Sequence, residues 1–184
     1  MNEVLKAISE RYSCRAFADK KPSDEIMNAI AKAAVEAPSG MNKQGWRVIM
    51  VKDTALIKEM DDDGMASLKA QADQSAYERM MGRGGKLFYN APCMFVVVNE
   101  KGGSELDVGL VTENITLAAQ SLGLGSIIVG MLRMPLSGAR GEEFKQRLCF
   151  PEGFGFGMAV LVGYEAATGG KPHEPDFSKI IVVE

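Results

Sequence analysis

A central sheet covered by helices is what this sequence predicts, and three observations carry the prediction. Two apolar runs of strand length, at 91–99 and 156–164, lack a polar face, as strands buried on both sides require. Segments with a helical apolar period alternate with strand-like runs along the chain. The helix predicted over 106–122 is apolar around much of its circumference, through Leu110, Val111, Ile115, Leu117, Ala118, Ala119 and Leu122, which suits a core or a subunit interface. With 184 residues and 46% apolar content the chain can bury a proper core, and one domain over 1–184 is expected.

In chain order, residues 2–10 carry Val4, Leu5 and Ile8 at helical spacing, a short amphipathic helix. It hands over to Arg11-Tyr12-Ser13-Cys14-Arg15-Ala16-Phe17, where two guanidinium groups four residues apart flank a hydroxyl. A planar donor fork at each end with a Ser Oγ between them suits a phosphate or another compact anion, so this stretch reads as an anion clamp. Cys14 within it reads as a packed side chain. The next helix starts at Pro22-Ser23-Asp24-Glu25, with Ser23 as N-cap and two acids in the first turn, and Pro38 ends it near Ala37.

After the loop Ser39-Gly40-Met41-Asn42-Lys43-Gln44-Gly45 comes 46–51, β-prone and too apolar for an exposed edge. Thr54 is expected to cap a short helix ending at Asp61-Asp62-Asp63, read as a solvated helix end because adjacent acids point in different directions. Residues 65–81 read as a weaker, partly solvated helix that Gly82-Arg83-Gly84-Gly85 breaks. Pro92 opens the central strand at 91–99. Gly123-Leu124-Gly125 ends the long helix, a strand follows at 126–130, and a helix over 139–149 leads to the strand at 156–164. The chain finishes in a Gly- and Pro-rich arm over 166–175 and a β-prone tail, Ile180-Ile181-Val182-Val183, that must find a sheet edge in its own chain or a partner's.

A formal net charge of −3 gives no global attraction to nucleic acid or membrane, so an anion site has to be a local concentration of arginine. Cys14, Cys93 and Cys149 are widely spaced, form no C-x-x-C, and have one histidine, His173, to join them, which argues for a reducing compartment and against structural zinc. No secretory signal and no apolar run of spanning length is present, and a cytoplasmic location is expected. Dinucleotide, P-loop, zincin and serine-hydrolase motifs are all missing, and a lone histidine in a proline-rich arm serves no Ser or Cys nucleophile. No side chain is assigned as catalytic acid or base and none as a metal ligand, so a bound cofactor is expected to carry the difficult chemistry.

Three stretches taken together, Arg11 to Phe17, Ala37 to Trp46 and Leu117 to Ser126, resemble in order and spacing the nitroreductase family of FMN enzymes, and the likeness runs from the first helix to the C-terminal arm. The resemblance implies an α+β fold with a central mixed sheet wrapped by helices. It also implies a single FMN-binding domain and an obligate homodimer whose C-terminal arm reaches the partner, with FMN sites in the interface. On the same likeness Arg11 and Ser13 would hold the FMN phosphate and ribityl chain, with Tyr12 beside them, and Arg15 would face the pyrimidine end of the ring. Pro38, Ser39, Gly40, Met41, Asn42 and Gln44 would reach the ring region, largely from the partner. Ile128, Val129, Gly130 and Met131 would pack on the ring's other side, the Gly130 amide near flavin N5. Where the family usually has proline between the Gln and the Trp this chain has Gly45, and where its arm often presents an arginine to the phosphate this chain has Lys171-Pro172-His173; a contact through His173 would weaken as pH rises past the imidazole pKa.

The implied activity is ping-pong hydride transfer from NADH or NADPH to a nitroaromatic, quinone or similar small acceptor. Two other readings stand beside it: a flavin-binding sensor, carrier or redox-assembly subunit without nicotinamide turnover, suggested by the little material between 55 and 90 for a lid, and an enzyme of the same fold with a dedicated substrate, acting by dehalogenation or flavin fragmentation.

Overall fold

In a computed structural model, which describes residues 2–166 and 170–184, four strands form one sheet: β1 (Trp46–Val51), β2 (Cys93–Glu100), β3 (Gly125–Val129) and β4 (Phe154–Gly163), in the spatial order β1-β2-β4-β3. The sheet is antiparallel at every one of these pairings, which corrects the mixed sheet expected from the family likeness. Its parallel component is one isolated bridge, Ser13 to Ser126, because the clamp is too short to lay down a ladder.

β2 and β4 occupy the centre, as their apolar runs require. Along β2 the side chains alternate: Cys93, Phe95 and Val97 go to one face, Met94, Val96 and Val98 to the other, and all six are buried. The first face is covered by α2 (Asp24–Val35) and α5 (Glu105–Ser121), which bring Met27, Ile30, Val111 and Ile115. On the second lie α3 (Thr54–Lys69), α6 (Arg133–Ser137) and α7 (Gly141–Arg147), with Leu56, Met60, Leu136 and Phe144. α1 (Glu3–Glu10) packs on α5, and α4 (Ser75–Met81) follows α3.

Several expectations need correction. β1 pairs with β2 alone and is an edge strand after all; its apolar residues are accommodated because Val48 and Met50 meet the α2 and α5 side while Ile49 meets the α3 side. α3 does not stop at the acid run but continues to Lys69, and Asp53, not Thr54, is its N-cap, Oδ1 accepting from the amides of Ala55 (3.0 Å) and Leu56 (3.1 Å). The run therefore lies mid-helix, and Asp61 is buried instead of solvated. Its Oδ1 accepts from the amides of Leu87 (2.6 Å) and Phe88 (3.0 Å), with Lys86 Nζ 3.6 Å from Oδ2. Burial pushes this carboxyl up against the opposing pull of the two amides and Lys86. Asp62, one residue on, faces outward between Lys58 and Lys86, which hold it below the usual range. The helix expected over 65–81 is divided between the end of α3 and α4, and α6, a single short segment ahead of the predicted 139–149 helix, was not expected.

Two apolar features find no cover. Val4, Leu5 and Ile8 of α1 are exposed, as are Leu106 and Leu110 of α5 and Leu122 at its C-cap. The tail Ile180 to Val183 pairs with no strand of its own chain and stands in solvent. Among the described residues no helix is long and apolar enough to cross a membrane.

Candidate functional site

Residues 13–18 are sewn between the start of β3 and the end of β4. The Cys14 amide donates to Ser126 O (2.9 Å), the Ala18 amide to Tyr164 O (2.8 Å), and the Ala166 amide to Ala16 O (3.0 Å), while Phe17 bridges Glu165. This turns Cys14 and Phe17 into the core and leaves Arg11, Tyr12 and Ser13 half-buried and Arg15 exposed. Cys14 is indeed packed: its Sγ donates to Ala16 O at 3.2 Å, burial pushes its thiol up, and a Cβ on Gly125 would stand 2.8 Å from its sulfur. Arg15 Nη1 donates to Ser13 O (3.4 Å), and among the described residues neither Arg11 nor Arg15 has a carboxylate partner. The clamp's guanidinium donors remain uncommitted to any anion.

Tyr12 is fixed by a bond no local pattern announces. Its hydroxyl donates to Glu165 Oε2 at 2.6 Å, and burial, then this bond and the carboxylate's charge, push its pKa up to about 12. The C-terminal arm resumes against it, since a Cβ on Gly170 would collide with the Tyr12 ring. Lys171 and His173 follow directly, exposed and without a side-chain bond among the described residues.

β3 leads from the clamp to the predicted turn. Ile127 and Val129 point into the α3-side core, whereas Ile128, 40% exposed, lines a cavity of about 340 Å³ between α5 and the sheet. Its apolar walls are Val108 of α5, Phe156 and Met158 of β4 and Ile128; Asn99, Glu105, Thr112 and Arg133 supply polar points. The Arg133 guanidinium stands over the Phe156 ring at 6.0 Å. Gly130 opens the turn on clear ground, with nothing within 4 Å of where a Cβ would be, and Met131 packs half-buried against the core. At about 3.3 Å per strand residue, Ser126 and Gly130 lie roughly 13 Å apart.

The loop after Pro38 folds on itself. Ser39 Oγ accepts from the Gln44 amide (3.0 Å), Gln44 Nε2 donates to Asn42 Oδ1 (2.7 Å), and Met41, Asn42 and Gln44 adopt left-handed φ of 51°, 55° and 48°. The Gly40 amide donates to both oxygens of Asp107 (3.3 and 3.2 Å), a buried residue in the first turn of α5 whose own amide donates to the cap, Ser104 Oγ (3.2 Å). A second cavity, about 230 Å³, lies between this loop and the 99–104 turn. It touches Trp46, whose buried Nε1 is the one buried side-chain polar atom without a partner among the described residues. Gly45 lets the Glu100 side chain lie against the loop: a Cβ there would collide with the carboxylate, while the Glu100 amide donates to Gly45 O at 2.8 Å.

One chain thus brings Arg11, Tyr12, Ser13 and Arg15 together with the start of the arm, and β3 connects them to Ile128, Val129, Gly130 and Met131. The Pro38 to Gln44 loop sits apart from the clamp, beside the first turn of α5, and Asn99 lines both cavities. Sequence reasoning missed Glu165, Asn99, Arg133 and Asp107. Only Asp107 had a local signal, an acid three residues after a capping serine, and that signal points to helix capping.

Comparison with known proteins agrees with this architecture. The model of the family described as the nitroreductase family matches residues 8–164. An Archaeoglobus fulgidus protein named for NADH dehydrogenase/NAD(P)H nitroreductase activity is 32% identical over 171 residues, spanning 89% of this chain and 86% of the relative. The crystal structure of a nitroreductase with bound FMN from Desulfitobacterium hafniense DCB-2 is 52% identical, with a TM-score of 0.95 over the whole of both chains. A second nitroreductase with bound FMN, from Bacteroides fragilis NCTC 9343, is 29% identical with a TM-score of 0.90, again over the whole of both chains.

Proposed function

The chain belongs to the nitroreductase family, and from that premise we propose that it is an FMN-dependent NAD(P)H oxidoreductase that passes hydride by a ping-pong route to a nitroaromatic, quinone or similar small acceptor. One observation supports this above the others: a five-residue strand, β3, joins a clamp of uncommitted guanidinium groups to an apolar-walled cavity. The residues fit the cofactor. Two arginines and a serine suit a phosphate, and the walls of Val108, Ile128, Phe156 and Met158 suit a flat amphipathic ring. When bound, FMN supplies the centre that takes hydride from one substrate and yields it to the next.

The chain's own residues hold and orient. Arg11 and Ser13 bind the phosphate end, Lys171 and His173 add donors from the arm, and Tyr12, held by Glu165, walls the clamp. Arg15 serves the ring's polar edge; Ile128, Val129 and Met131 wall the ring, and the Gly130 amide offers it a fixed donor. Pro38, Ser39, Gly40, Met41, Asn42 and Gln44 reach the ring region from a second copy. We read 1–184 as one cytoplasmic FMN-binding domain acting as a homodimer. The uncovered faces of α1 and α5 and the unpaired tail favour that assembly.

A visible spectrum tests the reading. Purified protein is expected to be yellow, to bleach with NADH or NADPH, and to recolour with a quinone or nitroaromatic. Colourless protein that takes up no added FMN overturns it; yellow protein that neither nicotinamide bleaches is a carrier or sensor instead.

A further inference from the structure

Asp107 is the one carboxylate among the described residues that is buried without a lysine or arginine partner. Asp61, the other buried acid, has Lys86. A buried charge is disfavoured unless hydrogen bonds compensate it, and a well-packed apolar residue commonly serves stability better. The oxygens of Asp107 are spent on a single group, the Gly40 amide, which both approach at 3.2 to 3.3 Å.

That amide opens a strained loop. Met41, Asn42 and Gln44 all hold left-handed backbone that L side chains resist, so something outside the loop has to hold it. The Ser39 to Gln44 and Gln44 to Asn42 bonds fold the loop on itself without anchoring it. Its rear is tied by the Glu100 amide to Gly45 O and by Arg47 Nη1 to Gln44 O (3.2 Å). Its front half, carrying Met41 at 86% exposure, has the Asp107 bond.

We propose that Asp107 is a positioning residue for the redox site: by gripping the Gly40 N–H it sets where the loop presents Met41 and Asn42 to the flavin ring and to the acceptor beside it. This rests on the loop's role in the proposed FMN site. The carboxylate touches neither cofactor nor substrate; it acts through the loop backbone.

Three variants of the full-length dimer test it: Asp107→Ala, Asp107→Asn and Gly40→Pro. Gly40 begins a 3₁₀ turn after extended Ser39, backbone that suits a following proline; Gly40→Pro deletes the N–H and sets a ring carbon against the carboxylate in its place. Asp107→Ala and Gly40→Pro are each expected to weaken FMN binding about tenfold in apoprotein titrations and to raise the KM for menadione about tenfold while kcat changes little, as losing one bond to a charged acceptor would. The double variant should be no worse than the poorer single, because both delete the same bond. Asp107→Asn, which keeps an acceptor oxygen, should stay within about threefold of wild type. Amide exchange of residues 41–44, measured without FMN, should rise about tenfold in Asp107→Ala and Gly40→Pro, so the bond is read even if the protein takes no flavin. Unchanged exchange, a Gly40→Pro variant that behaves as wild type, or an Asp107→Asn as impaired as Asp107→Ala overturns the proposal. A drop in Tm with FMN affinity and KM intact leaves Asp107 purely structural and overturns it as well.

Discussion

The two faces of the sheet are finished in opposite ways. Over one, the outer surface around α3 and α7 is laced with ion pairs: Glu59 with Arg140 and Arg147, Arg140 with Glu143, and Asp62 with Lys58 and Lys86. Over the other, α1 and α5 turn Val4, Leu5, Ile8, Leu106, Leu110 and Leu122 outward and, among the described residues, take part in no ion pair. Exposed ion pairs contribute little stability each, but they keep a face at ease in water; exposed leucines do the reverse. The contrast separates a layer whose outer surface is finished within a single chain from one that leaves apolar side chains exposed, which the proposed homodimer would cover.

The sharpest way to break this contrast is a charge on the uncovered face. Leu110→Glu should cost assembly about 3–5 kcal/mol through an uncompensated buried carboxylate, and sedimentation at micromolar concentration should show monomer. Glu59→Gln on the ion-paired face should leave the assembly unchanged and give only a small, salt-sensitive drop in Tm. A Leu110→Glu protein that stays dimeric removes the distinction between the faces.

Beneath the ion-paired face, Asp61→Ala should lower stability by about 2–3 kcal/mol in urea unfolding, since the Leu87 and Phe88 amides lose their acceptor, with no effect on assembly. The pH dependence has a definite sign. Burial raises the Asp61 carboxyl above its unfolded value, so the folded chain binds that proton more tightly, and this contribution to stability declines as pH rises from the ordinary aspartate range through the raised pKa. Glu59, Asp62 and Glu143, held low by their cationic partners, contribute in the other direction and lose that contribution on acidification. Asp61→Asn should therefore lose stability more steeply than wild type as the solution is made acidic.

A further effect lies where neither face closes. Arg11→Ala should weaken FMN binding by about 2 kcal/mol in titrations of apoprotein, the loss of a charge-assisted contact, without moving the Tm of the apoprotein. Unaltered affinity would place the phosphate elsewhere.

What the chain discloses locally is what local physics decides. β2 and β4 were legible because an unbroken apolar run suits only a strand covered on both sides, and the Ser23 cap lies within three residues of the amide it satisfies. The clamp was legible because all its donors lie within five residues. Long-range partners were not. The burial of Asp61 depends on amides 26 and 27 residues away, the setting of Tyr12 on Glu165, 153 residues on, and the Gly40 loop on an acid 67 residues later. The edge position of β1 is a property of pairing order, invisible in the composition of a single strand. The likeness to flavin enzymes singled out three stretches; which neighbours hold them came only with the fold.

β3 works as a gauge. The five residues of β3 link the clamp to the apolar-walled cavity, and a strand changes length only in steps of about 3.3 Å, each step also reversing which side chains face the cavity. No gradual adjustment could change the spacing of clamp and cavity. A single inserted residue would both lengthen the link and turn Ile128 away, so under the proposed function the size of the molecule accepted is set by the length of β3.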